Sequence, residues 1–156
     1  MGHEKTLTAL LPALAGANMI YGLGNTETGI TMDYGQTVMD NEFAGLIKFT
    51  LQGISVNDET LAVDVIREIG PGRDFLSHAH TMKHMRTAQS HPKLIDRRIR
   101  ADWQADGGKT MYERAWEEAI EILATHKPEP LPEGVRKAIR SIIEETEAEL
   151  RTSKRK

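Results

Sequence analysis

The stretch that most restricts the fold of this chain runs from Leu10 to Asp33 and reads LLPALAGANMIYGLGNTETGITMD. An amphipathic helix is followed by the short apolar segment Asn18–Tyr21, which we interpret as a buried strand, and then by a loop rich in glycine and polar residues. A buried parallel strand needs neighbouring strands on both sides, and the rest of the chain offers few. The sequence therefore predicts the last part of a larger α/β enzyme, with its chemistry in the loop from Gly22 to Thr31.

Helical periodicity covers most of the remaining chain, with about seven helices expected in all. N-caps are expected at Asp33, Asn57 and Thr81, because short polar side chains accept hydrogen bonds from the first helical turn. Two further short extended segments are expected at Ile54–Val56 and Phe75–Leu76. The predicted helices lie at about residues 4–15, 34–52, 57–69, 81–89, 94–103, 110–125 and 133–151.

The composition limits which cellular compartment and which classes of partner we expect for this chain. The 156 residues contain no cysteine, which excludes disulfides and thiolate metal sites. A net charge of −3 gives no field that favours nucleic acid, and no apolar run approaches the length of a membrane span. The first residues, MGHEKTLTALL, lack a signal-peptide pattern. We therefore expect a cytoplasmic protein without nucleic-acid or membrane partners.

The loop after the predicted strand carries the first candidate site. Ligands of parallel α/β folds bind beyond the carboxyl ends of the strands, where Tyr21, Asn25 and Glu27 lie. Glu27 can balance a cationic group, Asn25 both donates and accepts hydrogen bonds, and the Tyr21 ring can pack on an ammonium group. Thr31 ends the loop and is assigned with them to substrate binding. The pattern alone favours a simpler interpretation, a glycine-rich turn in which Asn25 and Glu27 cap backbone groups.

Three closely spaced histidines, His78, His80 and His84, form the second candidate site. Three imidazoles are enough for a catalytic zinc ion, but no HExxH sequence or downstream carboxylate of fixed spacing accompanies them. The pattern favours imidazoles that hydrogen-bond loops or contact substrate, and we assign His78 and His80 to substrate binding and predict no metal. A zinc-dependent hydrolase that uses all three histidines is the alternative.

A charged run from Asp96 to Arg100 admits two interpretations. It could be a docking surface for an acidic partner, but local ion pairs on a solvated helix are the better supported choice.

Several segments resemble one known family in order and at length. They are EKTLTALLPALAGANMIYGLGNTETGITMDYGQTVMDNE, then VNDETLAVDVIREIGPGRDFLSHAHTMKHMR, then DRR, and then the stretch from Trp103 to Ala115, which ends in ERA. Together they resemble the C-terminal part of the corrinoid-dependent trimethylamine methyltransferase family, from Glu4 to Ile122 and more loosely beyond. The resemblance implies an enzyme that moves a methyl group from a tertiary or quaternary methylated amine to a corrinoid. It also implies that a separate corrinoid protein carries this cofactor, so that none is bound directly, and that the enzyme is a homo-oligomer.

The resemblance also implies the fold class: α/β, the C-terminal part of a TIM (β/α)8 barrel, mostly helical in this chain with two or three short strands. The expected organisation is barrel βα units with a helical extension over residues 1–126, a proline-rich linker at 127–132, and a helix with a basic tail at 133–156.

Family members are much longer than this chain, and those that use trimethylamine carry a pyrrolysine, encoded by an amber codon, shortly before the EKTLTALLP-like segment. We therefore expect either a reading frame downstream of such a codon or a C-terminal portion that needs the N-terminal barrel portion as a partner. The chain alone is expected to be inactive.

Roles in the loop follow from its position, with support from the resemblance. Glu27 is assigned as the catalytic residue that balances a cationic amine. Tyr21 would contact the methyl groups of the amine, and Asn25 would orient a polar substituent. A non-catalytic helical interaction module is the remaining alternative, but it leaves the polar loop without a role.

Overall fold

The computed structural model describes residues 2–153, which form eight α-helices, one turn of 3-10 helix and a two-stranded antiparallel sheet. The chain divides after Leu123 into two compact units. None of the helices in the described range is long and apolar enough to span a bilayer. The elements are α1 (Gly2–Leu14), β1 (Asn25–Thr26), the 3-10 turn (Glu27–Gly29), β2 (Thr31–Met32), α2 (Tyr34–Leu51), α3 (Asp58–Leu61), α4 (Val63–Ile69), α5 (Ala79–His84), α6 (Arg100–Ala105), α7 (Met111–Thr125) and α8 (Glu133–Ser153).

Helices α1 and α2 pack against each other and form the main helical layer of the first unit. Pro12 lies inside α1, and the helix continues past it to Leu14. Gly16 follows the predicted end of this helix at residue 15 and stops it: its φ is +87°, a left-handed value that glycine adopts without strain. Asp33 caps α2 as expected, because its Oδ1 accepts a hydrogen bond from the Gln36 amide at 2.6 Å.

The predicted strand at Asn18–Tyr21 is wrong for this chain, no strand forms at Ile54–Val56, and Phe75–Leu76 lies in a turn in which the Phe75 carbonyl accepts from the His78 amide at 3.2 Å. The side chains of Met19, Tyr21 and Ile54 are 82%, 89% and 92% exposed. A parallel strand exists only when a neighbour takes its backbone hydrogen bonds, and within residues 2–153 the only sheet is the short β1–β2 pair. Both strands of that pair lie in the segment that we predicted to be a loop.

The helix predicted over residues 57–69 is broken into two. Asn57 caps α3 as expected, since its side chain accepts from the Thr60 amide and the Thr60 hydroxyl accepts from the Asn57 amide, each at 3.0 Å. Ala62 then adopts a left-handed conformation with φ of +51°, which ends α3 and starts α4. The next helix, α5, is capped by His78 rather than by Thr81, because His78 Nδ1 accepts from the His80 amide at 3.1 Å. It ends at His84, before the predicted residue 89.

The helix predicted over residues 94–103 is limited to α6, which starts at Arg100. The segment before it is irregular because Glu42 of α2 accepts three of its backbone amides, those of Lys93, Leu94 and Ile95, at 2.6, 2.7 and 3.0 Å. A carboxylate that takes three successive N–H groups replaces the partners that a helix would supply. Leu94 is thereby held in the core, where it is 5% exposed.

Helix α7 follows Gly107 and Gly108, as the pattern predicted. Ala115 and Ala119 on this helix are almost fully buried, whereas Trp116 stays 42% exposed and stacks on Tyr112 with ring centroids 6.5 Å apart. Trp116 therefore lies at the edge of the core and not within it. The buried apolar core of the described residues is small and consists of Ala13, Leu94, Ala115 and Ala119.

The second unit, from Ala124 onward, contains α8, which begins at Glu133 as predicted and continues to Ser153. Its ion pairs are local, Lys137 to Glu133 at 2.7 Å and Arg151 to Glu147 at 3.7 Å, each four residues apart. The domain limits at residues 126 and 132 stay a prediction.

Candidate functional site

The loop from Gly22 to Asp33 is a small β-hairpin. Asn25 of β1 pairs with Met32 of β2, and Thr26 pairs with Thr31. At its tip, Glu27 and Thr28 have φ of +49° and +57°, left-handed values that non-glycine residues adopt at a cost. Two strained residues in succession set the direction of the Glu27 side chain.

Glu27 and Thr31, two of the predicted site residues, are in direct contact. The Thr31 hydroxyl donates to Glu27 Oε2 at 2.8 Å, and both residues are exposed. A carboxylate has about four acceptor positions, so this single bond orients Glu27 and leaves capacity for a cationic ligand. This bond is made to a side-chain hydroxyl and not to a backbone group, so it is not the backbone cap that the simpler interpretation expects, and the catalytic role of Glu27 stays a prediction.

Asn25, another predicted site residue, lies in the same hairpin as Glu27 and Thr31. Its hydrogen bonds are made by its main chain and not by its side chain. Its carbonyl accepts from Lys5 Nζ at 3.2 Å, and its amide donates to the Gly22 carbonyl at 3.1 Å. Its side-chain Nδ2 lies between two glycines, because a Cβ placed on Gly22 or Gly29 would be 3.6 or 3.9 Å from it. Both glycines therefore leave room around this amide.

Tyr21 is not part of the hairpin. It lines an open cleft of about 520 Å³ that is bounded by α1, α2 and the segment from Ala17 to Leu23. Lys5 and Asp40 lie in the same cleft wall, whereas the hairpin tip with Glu27 and Thr31 does not contribute to it. Tyr21 therefore lines the cleft, whereas Glu27 lies at the hairpin tip and does not line it.

A buried charged network that sequence reasoning missed attaches the hairpin to both helices. Asp40 of α2 is 7% exposed, and its Oδ2 accepts from Lys5 Nζ of α1 at 2.5 Å and from the Gly24 amide at 2.8 Å. Asp40 Oδ1 accepts from Gln36 Nε2 at 2.7 Å, which completes the shell of this carboxylate. The signal was present in the sequence, since Gln36 and Asp40 are four residues apart beside the apolar stripe of α2.

Gly24 is the point where this network meets the backbone. Its φ is +77°, and a Cβ on it would lie 2.0 Å from Thr37 Oγ1 and 3.2 Å from the Asp33 carbonyl oxygen. Its own carbonyl accepts from the Asp33 amide at 2.9 Å. Only glycine fits this close approach of the hairpin to α2.

Asp33 joins the end of the hairpin to α7 as well as capping α2. The Tyr112 hydroxyl donates to Asp33 Oδ2 at 2.9 Å, while Oδ1 serves the cap. This hydrogen bond raises the pKa of Tyr112 above its ordinary value, because it is made to a charged acceptor. Three helices therefore position the hairpin through Lys5, Asp40 and Tyr112.

The three histidines do not form a metal site. His80 Nε2 lies 2.9 Å from the Glu59 carbonyl oxygen, His84 Nε2 lies 3.2 Å from Glu59 Oε1, and His78 Nε2 lies 3.5 Å from Glu68 Oε2. Among residues 2–153, no group of three or more histidine, cysteine or acidic side chains is arranged to hold a metal ion. The geometry therefore gives no support to the zinc hydrolase alternative.

Glu59 organises this histidine cluster. Its carboxylate accepts from Lys83 and lies beside His84, and these contacts, that with Lys83 first, lower the pKa of Glu59. The His80 and His84 rings are 4.4 Å apart between centroids. His78 and His80 are thus bound to α3 and α4 residues, and the described contacts do not bring either of them to the hairpin.

The charged run before α6 makes local ion pairs, as favoured, but it lies on an irregular segment and not on a helix, since α6 begins at Arg100. The Arg98 guanidinium binds Asp96 with Nη2 2.8 Å from Oδ2, and Asp106 with Nη1 3.0 Å from Oδ2. Chiefly through this side-chain hydrogen bond, Arg98 lowers the pKa of Asp96 to about 2.

Comparison with known proteins agrees with the resemblance. The family model described as trimethylamine methyltransferase matches residues 1–151. The trimethylamine methyltransferase MttB of Desulfitobacterium hafniense is 58% identical over 94% of this chain, and MttB1 of Methanosarcina mazei is 41% identical over 96%. A glycine betaine methyltransferase of Desulfitobacterium hafniense is 29% identical over 91%.

These relatives are considerably longer than the chain, which spans 29% of the first, 30% of the second and 30% of the third. The family match nevertheless covers residues 1–151, a range that contains the hairpin and the helices that hold it. On these grounds the chain belongs to the trimethylamine methyltransferase family.

Proposed function

We propose that this chain is part of a methyltransferase that moves a methyl group from a tertiary or quaternary methylated amine to a corrinoid carried by a separate protein. The observation that carries the proposal is the family match over residues 1–151. Because the chain spans about 30% of its relatives, the activity is proposed for the whole protein and not for this chain alone.

We propose a TIM barrel for the whole protein, completed by an N-terminal portion. The support is the exposed apolar surface at the segments where strands were expected, around Met19, Ile20 and Ile54. Large apolar side chains in extended segments are typical of strands that pack between neighbours. In a completed barrel, Asn18–Tyr21 would gain those neighbours, and the hairpin would follow at the carboxyl end of the strand.

Glu27 would balance the charge of the amine in the proposed reaction. The carbon–nitrogen bond breaks with its electron pair left on nitrogen, so the leaving amine is best stabilised when it starts as a cation. Thr31, which donates to Glu27 Oε2 at 2.8 Å, would hold the carboxylate in one orientation. The carried corrinoid supplies the nucleophile that accepts the methyl group, and we assign no residue of this chain to binding it.

The other assigned residues would bind and orient the amine. The exposed ring of Tyr21 can pack against methyl groups on a positively charged nitrogen, and the Asn25 amide can fix a polar substituent. His78 and His80, at the start of α5, would also contact the amine if the completed barrel brings α5 close to the hairpin. Their hydrogen bonds to each other and to Glu59 would hold these rings in position.

The test is a methyl-transfer assay with a purified corrinoid protein as acceptor. The chain is assayed alone and together with the N-terminal portion expected for the family, with trimethylamine and glycine betaine as separate donors. The proposal predicts no transfer by the chain alone and transfer from one donor by the combined protein. Absence of transfer from any methylated amine by a folded combined protein would contradict it.

A further inference from the structure

Helix α8 in the second unit carries an unpartnered apolar stripe. Val135, Ile139, Ile142, Ile143 and Leu150 are between 44% and 63% exposed. Their spacing of three, four and seven residues places them on one face, with Thr146 among them. An apolar face of this length is typical of a helix that pairs with another helix.

The charges of α8 are arranged opposite to the distribution that the dipole of a single helix stabilises. Its first half holds three cations, Arg136, Lys137 and Arg140, and its second half holds four carboxylates, Glu144, Glu145, Glu147 and Glu149. The positive end of a helix dipole is at the N-terminus, so cations there and carboxylates near the C-terminus lower helix stability. Only the end residues Glu133 and Arg151 follow the preference.

A second copy of the same helix, packed antiparallel, would remove this conflict. It would place the acidic half of one helix beside the basic half of the other, and each contact would occur twice because the pair has two-fold symmetry. A parallel pair would instead place acidic half beside acidic half. Charge complementarity therefore selects both the partner and the direction.

We propose that α8 is a dimerisation helix that pairs antiparallel with α8 of a second copy of this chain. Centring the pair between Ile142 and Ile143 sets Val135 opposite Leu150 and Ile139 opposite Thr146. In this register Arg136, at the edge of the stripe, lies beside Glu147 of the second copy. No ion pair joins Arg136 or Arg140 to a carboxylate within residues 133–153, so both cations are available to the second copy.

Disulfide crosslinking between introduced cysteines tests whether the two α8 helices are antiparallel. The chain contains no cysteine, so each introduced thiol is unique. Chains with Val135→Cys are mixed with isotope-labelled chains with Leu150→Cys, oxidised, and analysed by mass spectrometry. Antiparallel pairing predicts a disulfide between residues 135 and 150 as the main product. Main products that join 135 to 135 and 150 to 150, or no disulfide while circular dichroism shows folded chains, would overturn the proposal.

Charge reversal tests the chemistry of the pair in the full 156-residue chain by sedimentation equilibrium. Arg136→Glu is expected to weaken dimerisation about tenfold or more, and mixing it with Glu147→Arg should restore a dimer of the two variants. Lys137→Glu makes the same charge change on the opposite face and should leave the dimer constant unaltered. A monomer at all concentrations, or equal effects of all three changes, would show that this face does not pair.

Discussion

Lys5 Nζ lies 2.5 Å from Oδ2 of Asp40, and this ion pair joins helix α1 to helix α2 at the point where the hairpin backbone meets them. The two side chains are 21% and 8% exposed. Asp40 also accepts from Gly24 and Gln36, so all its bonds are made inside the protein. The hairpin that carries Glu27 is therefore attached through its backbone to a charged pair contributed by two helices.

Asp40→Ala should lower the free energy of unfolding of the chain by about 3 kcal/mol, because it leaves the largely buried Lys5 ammonium without its carboxylate and the Gly24 amide without an acceptor. Urea unfolding followed by circular dichroism measures the change. Asp64→Ala is the matched control, since Asp64 pairs with Arg67 at an almost fully exposed site, and its effect should stay below about 0.5 kcal/mol. Equal effects of the two changes would show that the Asp40 network is not structural.

Gly24→Ala should be the most damaging glycine replacement in the hairpin. The new Cβ would meet Thr37 Oγ1 at 2.0 Å in addition to the strain of a φ of +77°. Gly53→Ala isolates the strain, because Gly53 has φ of +69° and nothing within 4 Å of its Cβ position; it should cost about 1 kcal/mol. We expect at least about 2 kcal/mol more for Gly24→Ala, measured by urea unfolding, and a cost no larger than that of Gly53→Ala would contradict the close approach.

Glu42→Ala should release the segment before α6, since three backbone amides would lose their acceptor. Hydrogen exchange at Lys93, Leu94 and Ile95, resolved by NMR, should accelerate by about tenfold or more. Glu144→Ala on α8 is the control, since Glu144 is exposed and the three amides donate to Glu42. Unchanged protection at the three amides in Glu42→Ala would mean that other contacts order the segment.

The pKa of Asp96 should depend on Arg98. The guanidinium lowers that pKa from 3.8 to about 2, so the contribution of the carboxylate to stability is present above about pH 4 and is lost as the pH falls through about 2. Arg98→Gln should move the NMR titration of the Asp96 carboxyl carbon up toward its ordinary value.

Arg97→Gln is the matched control for this titration, because Arg97 binds Ser90 and not Asp96. It should leave the pKa of Asp96 near 2. An Asp96 titration that is the same in Arg98→Gln as in the unaltered chain would show that the ion pair does not form in solution.

Local signals in the sequence were sufficient for the helices whose ends are set locally. The caps at Asp33 and Asn57 and the stop at Gly16 depend on neighbours within a few residues. Their side chains or backbone conformations act over one turn, and the structure confirms all three. The contact between Glu27 and Thr31 was also predictable from the sequence, since the two residues are four positions apart in one hairpin.

The structural features that the sequence did not predict depend mostly on contacts between residues far apart in the chain. Irregular structure at Leu94 depends on Glu42, which is 52 residues away, and the buried pair of Lys5 and Asp40 spans 35 residues. The strand expected at Asn18–Tyr21 failed for a related reason, because its apolar pattern is that of a strand whose partners are absent from the described residues. The left-handed Ala62 carries no local signal, since alanine favours continuation of the helix.

We propose that the hairpin holds the amine-binding site of the whole methyltransferase. The most direct test of this proposal is methyl transfer to the corrinoid protein, with amine binding measured in parallel, by the completed protein with Glu27→Gln. Glu129→Gln, outside the hairpin, is the matched control. The account predicts that kcat/KM for the methylated amine falls about 100-fold in Glu27→Gln and is unchanged in the control. Unchanged amine affinity and turnover in a folded Glu27→Gln protein would contradict it.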